Sequence, residues 1–148
     1  MKFKIIPNEQ TSKCIDIVNL ETDKKLLEKF LSFSMRQYNC AGLAANQVSL
    51  DNNRIMKSFF TICFNHHWDI IINPEIIEYI GESEQKIEGC LTWLGKKIIA
   101  ERYSEIHVSY YNIKGLKIVA TIIGYEAQIW QHEYNHLMGI EEKFLEEN

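Results

Sequence analysis

This chain is short of the residues that interrupt or staple a fold. It has two prolines in 148 residues, Pro7 and Pro74, and no proline- or glycine-rich linker, repeat or low-complexity segment divides it. Its four cysteines, Cys14, Cys40, Cys63 and Cys90, lack the spacing of a zinc finger or a disulfide scaffold, so a reducing cytoplasm is the expected location. Long apolar runs are also missing. None approaches membrane-spanning length, and the one in Met1–Pro7 is too short for a signal peptide, which excludes a membrane partner. Excess positive charge is absent too. The net charge is −4, and residues 141–148, with Glu141, Glu142, Glu146 and Glu147 against Lys143, hold −3 of it, leaving −1 before them. Nothing there offers nucleic acid an electrostatic footprint, and the acidic end reads as a solvated tail.

What is present suits one domain, residues 1–148, with 46% apolar residues. A chain of this length buries about two-thirds of its unfolded surface. Asp23 can cap a helix running to about Tyr38, with Leu27, Leu31, Ser34, Met35 and Tyr38 on one stripe. Phe59 to Phe64, Asp69 to Ile72 and Ile76 to Ile80 read as strands, the last two broken by Asn73-Pro74. Ile106, Val108 and Tyr110 alternate with polar neighbours, Asn112 to Gly115 turn the chain, and Leu116, Ile118, Ala120 and Ile122 alternate again, which is a hairpin. The expected class is α+β. His66 and His67 fall in a loop and His107 on a strand, none of them with company that suggests a ligand.

The chemistry concentrates near the end, in Gln131-His132-Glu133-Tyr134-Asn135-His136-Leu137-Met138-Gly139. His132-Glu133-x-x-His136 is an HExxH pattern: on a helix, both imidazoles reach one metal ion from one face, with a glutamate beside them to handle a proton of water. Gly139 follows as a C-terminal stop. Two histidines and a glutamate on the inward side of a helix need partners, and a metal ion would provide them. The pattern leaves a third protein ligand to be found.

Upstream stand Glu88-Gly89-Cys90-Leu91-Thr92 and, earlier still, Gly42-Leu43-Ala44-Ala45-Asn46-Gln47. With these three segments, in this order and spacing, the chain resembles the peptide deformylases, whose motifs read GxGLAAxQ, EGCLS and QHExDHLxG. The likeness covers nearly the whole chain, including Ile72-Asn73-Pro74-Glu75. It implies a deformylase-like α+β fold, with mixed antiparallel sheets around a central HExxH helix and Cys90 brought in from a strand end. It further implies that Cys90, His132 and His136 are the metal ligands, with one position open for water. Such a set suits Fe(II), the expected ion, and also Zn(II), Ni(II) or Co(II). Glu133 is then the general base and acid. Gln47 and the Leu91 backbone N–H are the oxyanion donors, and Ala41, Gly42, Glu88, Gly89 and Ile129 contact substrate. The implied activity removes formyl from the N-terminal formylmethionine of nascent peptides.

Departures from the family pattern are Cys40 for its first glycine, Ala41 for a larger aliphatic residue, Thr92 for serine, Leu94 for a nearby proline and Asn135 for aspartate. Cys40 and Ala41 bear on the shape of the substrate pocket. Asn135 weakens an ion pair for which Arg102 is the expected partner. Only nine residues follow Gly139, so the chain resembles a short, phage-like form without the C-terminal extension that helps relatives dock at the ribosome. Ribosome docking therefore stays open as a partner interaction. Two rivals remain. Another kind of HExxH metallopeptidase would take a third ligand downstream, where only glutamates such as Glu141 and Glu142 are available. A non-catalytic module binding peptide N-termini would tolerate loss of Cys90, Glu133 or Gln47, and all three are present.

Overall fold

The computed structural model describes residues 1–8 and 11–146. Its elements run β1 (Phe3–Ile5), α1 (Leu20–Met35), β2 (Gly42–Ala44), β3 (Val48–Leu50), β4 (Asn53–Arg54), β5 (Phe59–Phe64), β6 (His67–Glu88), β7 (Ile98–Tyr111), β8 (Lys117–Ile123), α2 (Gly124–Leu137) and β9 (Lys143–Phe144). Short 3-10 turns follow β2 at Ala45–Gln47 and β6 at Leu91–Trp93. Strands β1, β3 and β4 form a small antiparallel sheet; β2, β5, β6, β7 and β8, in that order, form a larger one, with β9 added to β7. Helices and antiparallel sheets are thus segregated, the expected α+β class.

Three details differ from the sequence reading. Helix α1 starts earlier, because Asn19 caps it: its Oδ1 accepts from the Thr22 N–H at 3.3 Å, while Asp23 pairs with Lys57 instead. The buried stripe is Leu27, Phe30 and Ser34, leaving Met35 and Tyr38 exposed, because Phe30 sets its ring edge-on to Phe59 at 4.9 Å. Asn73-Pro74 does not break the strand. Register passes from Ile72 opposite Tyr111 to Glu75 opposite Ser109, so β6 carries one extra residue there. A bulge is where a missing N–H costs no ladder bond. Asn73 takes the positive φ of 49° and clamps Ile17, accepting from its N–H and donating to its carbonyl, each at 2.8 Å. Two smaller differences are that α1 ends at Met35 rather than near Tyr38 and that His67 opens β6 rather than lying in the loop.

Helix α2 is buried on most of its surface, as a central helix must be. Trp130 stands perpendicular to Phe60 at 5.0 Å. Gln131 acts as a strand residue: its amide accepts from the Tyr103 N–H at 2.9 Å and donates to the Tyr103 carbonyl at 2.7 Å, fixing the helix on β7. With those residues committed to the sheet, His132, Glu133 and His136 are left to converge on the other side. Gly139 ends the run at φ 72°, where a β-carbon would lie 2.4 Å from the Thr11 carbonyl oxygen. Among the described residues no helix is long and apolar enough to cross a membrane.

Candidate metal centre

Strand β6 ends at Glu88, and Cys90 caps the 3-10 turn that follows it, which delivers the thiol to the helix face carrying the histidines. Cys90 Sγ lies 3.5 Å from His136 Nε2, and the two Nε2 atoms are 3.2 Å apart. A fourth donor joins them. Glu142 Oε1 is 3.0 Å from His136 Nε2 and 3.3 Å from His132 Nε2, and the four donor atoms all lie within 4.8 Å of one another. The structure therefore brings Cys90, His132 and His136 together as a group able to hold a metal ion. It also corrects the reading of the C-terminal end as solvated at one residue, Glu142, whose side chain is only 9% exposed, while Glu141 and residues 143–146 are exposed. Burial, reinforced by Glu142 and Glu133, pushes the Cys90 thiol up, and a bound cation would act in the opposite direction.

Behind the histidines sits a polar cluster. His132 Nδ1 is 2.7 Å from Glu88 Oε1. A carboxylate partner requires the proton on Nδ1, which leaves the Nε2 lone pair aimed at the site. Glu88 is itself gripped by Arg102, whose Nη2 donates at 2.8 Å and Nε at 3.0 Å, and by Gln128 Nε2 at 3.0 Å. Burial alone would raise the Glu88 carboxyl; the hydrogen bonds from His132 and Arg102 outweigh it and hold it at about 2. Arg102 is thus committed to Glu88. Asn135 lies beside it along one cleft and accepts the Ile140 N–H on its backbone carbonyl, so the acid that pairs with Arg102 is Glu88. Gln128 did not stand out in the sequence, where an amide in a helix carries no signal, and Glu142 figured only as one of several downstream glutamates open to a rival metallopeptidase, with nothing to single it out.

Gln47 hangs between the 3-10 turns. Its Oε1 accepts from the Ala44 N–H at 2.9 Å, and its Nε2 donates to Thr92 Oγ1 at 3.0 Å and Cys90 Sγ at 3.2 Å. The Thr92 hydroxyl therefore fixes the rotation of that amide. Neighbouring Asn46 donates to the His136 carbonyl at 2.6 Å, tying the same loop to the end of α2. Glu133 is buried and its Oε1 has no hydrogen-bond partner among the described residues. Burial chiefly, with Glu142 and Glu88 adding to it, raises its carboxyl to about 7. Gly42 presses on this group: a β-carbon there would stand 2.7 Å from Glu133 Oε2.

Two hollows sharing Ala41 and Gly42 open beside the donors. One, of about 80 Å³, is also lined by Glu88, Ile129 and Glu133. The other, of about 370 Å³, is lined by Gly89, Cys90 and Leu91. Cys40 packs against the core and its thiol donates to the Gly42 carbonyl at 3.2 Å; burial and then the charge of Glu133 push it up to about 12. It shapes the loop from behind.

A sequence model of the family described as polypeptide deformylase matches residues 6–142. The chain belongs to that family. It is similar to the peptide deformylase of Thermotoga maritima, 36% identical over 120 residues, which cover 81% of this chain and 70% of the relative. A crystal structure of peptide deformylase from the same organism superposes with a TM-score of 0.78 at 30% identity, covering 95% of this chain and 94% of that one. The PDF of a Vibrio parahaemolyticus bacteriophage, solved with actinonin, gives 0.80 at 25% identity over 93% of this chain and 98% of that one. With the family comes its chemistry: the chain is a metal-dependent peptide deformylase.

Proposed function

We propose that this enzyme frees the N-terminal formylmethionine of nascent peptides from its formyl group by hydrolysis, with Cys90, His132 and His136 as metal ligands and Glu133 as base. The observation that carries the assignment is one thiol and two imidazole nitrogens, 3.2–3.5 Å apart along the measured edges, beside a buried glutamate whose Oε1 lacks a partner among the described residues. A divalent cation in such a site polarises a carbonyl oxygen and lowers the pKa of water toward 7.

Glu133, held near neutrality by its burial, takes a proton from the attacking water and passes one to the departing amine. The C–N bond breaks, giving formate and a free amino terminus. Gln47 Nε2 and the Leu91 N–H donate to the oxygen on which negative charge develops, and loss of one such donor costs roughly 10²–10³ in turnover. Glu88 acts from behind, fixing the His132 ring. Ala41, Gly42, Gly89 and Ile129 wall the hollows that receive the substrate, the glycines leaving backbone open to an extended peptide. A formyl carbon bears only hydrogen beyond its carbonyl, so a close-walled site can refuse larger acyl groups.

For the ion we favour Fe(II), because one thiolate and two imidazoles accept it readily. The cytoplasm is the proposed location, where nascent peptides are met. Release of formate from formyl-Met-Ala-Ser by iron- or nickel-loaded protein, with acetyl-Met-Ala-Ser untouched, is the expected result. No formate from either metal form would overturn the assignment.

A further inference from the structure

The Cys-His-His set leaves one coordination position for water, yet a carboxylate stands there. We propose that Glu142 is a fourth protein ligand of the metal ion in the resting enzyme, and that it must swing away before substrate and water can reach the ion. The proposal rests on the reading of Cys90, His132 and His136 as the other ligands.

Distances favour it. Around one four-coordinate ion with bonds of about 2.0–2.3 Å, tetrahedral donors stand roughly 3.3–3.7 Å apart. Of the measured edges, 3.3 Å from Glu142 Oε1 to His132 Nε2 and 3.5 Å from Cys90 Sγ to His136 Nε2 fall in that range, while 3.0 Å from Glu142 Oε1 to His136 Nε2 and 3.2 Å between the two nitrogens are a few tenths of an ångström shorter, and all four donors lie within 4.8 Å of one another. A carboxylate that merely orients a histidine meets the ring nitrogen facing away from the ion, as Glu88 does at His132 Nδ1. Glu142 meets the nitrogens that face it.

Burial points the same way. The Glu142 side chain is as enclosed as that of His132, each 9% exposed. Enclosing a carboxylate is costly unless positive charge meets it, and an ion held by the same donors supplies that charge. Its place is also set by the backbone on both sides. The Ile140 N–H donates to the Asn135 carbonyl at 3.0 Å, β9 pairs with Ile98 and Ile99, and the Leu145 N–H donates to the Lys97 carbonyl at 2.9 Å. Phe144 closes this strap edge-on against Trp93 at 5.3 Å. Glu142 lies between these anchors, over the histidines.

A site closed by four protein ligands is the structural type, and an open position marks catalysis. Glu142 therefore makes the ion hold firmly at rest and obliges substrate to compete for the vacancy. The test is titration of metal-free protein with Co(II), followed by azide, read from the visible spectrum of the ion. Glu142→Ala is expected to weaken Co(II) binding by at least about tenfold and to tighten azide binding, because azide no longer competes with a carboxylate. Glu142→Gln, which keeps the shape and removes the charge, is expected to move both in the same direction. If both variants keep wild-type affinities while Cys90→Ser and His132→Ala lose Co(II), the fourth-ligand proposal fails alone. Wild-type Co(II) affinity in Cys90→Ser and His132→Ala would instead overturn the underlying site.

Discussion

A β-carbon on Gly42 would stand 2.7 Å from Glu133 Oε2 and 3.0 Å from its Cγ, and Glu133 is too enclosed to yield. Gly42→Ala should therefore push the β2 backbone and the base apart, lowering kcat by tenfold or more, because a misplacement of about 1 Å can cost ~10²-fold, and lowering stability by about 1–3 kcal/mol through overpacking. Gly89→Ala contrasts with it in stability alone: among the described residues no neighbouring atom lies within 4 Å of a β-carbon there, and unfolding should shift by less than about 0.5 kcal/mol. Glu88→Gln separates orientation from ligation. The amide loses the ion pair with Arg102 and the strong acceptor for His132 Nδ1, so metal affinity, measured against a chelator, should fall about 10–100-fold with the ligands intact. The sequence motifs identified Glu88 but not this use of it, since both of its oxygens are engaged by residues from β7 and α2 that no local pattern links to it.

Among the elements, the end of α2 is the most constrained. Gly139 sits at φ 72° with the Thr11 carbonyl against its face. Gly139→Ala should lower the unfolding free energy by about 1–3 kcal/mol through the backbone conformation alone, more once the contact is counted, as urea denaturation would show. Periodicity and turn residues make α2, β5 and the β7–β8 hairpin legible in the amino-acid sequence. They fail where two residues could do one job or where long-range bonds decide. Asn19 and Asp23 both suit a helix cap, and only packing of Phe30 on Phe59 selects the earlier start. The passage of β6 through Asn73-Pro74 depends on the bonds between Asn73 and Ile17, 56 residues apart in sequence. The strap carrying Glu142 was hidden because four glutamates near a chain end read as solvent-facing, whereas β9 pairing turns one of them inward.

At the scale of the molecule, the metal group ties together the end of β6, helix α2 and the segment before β9. An ion bound only by the folded state adds stability by mass action, about 2.7 kcal/mol at 100 times its Kd. Stripping it should lower the thermal midpoint, and readdition should restore it. The iron form should lose activity in air, since both Fe(II) and Cys90 can be oxidised, while the nickel form persists. The most direct measurement compares formate release from formyl-Met-Ala-Ser with bound metal in the wild type and Glu133→Ala. The account predicts full metal content in both and turnover lower by about 10²–10⁴ in the variant. Near-wild-type formate release by metal-replete Glu133→Ala would contradict it.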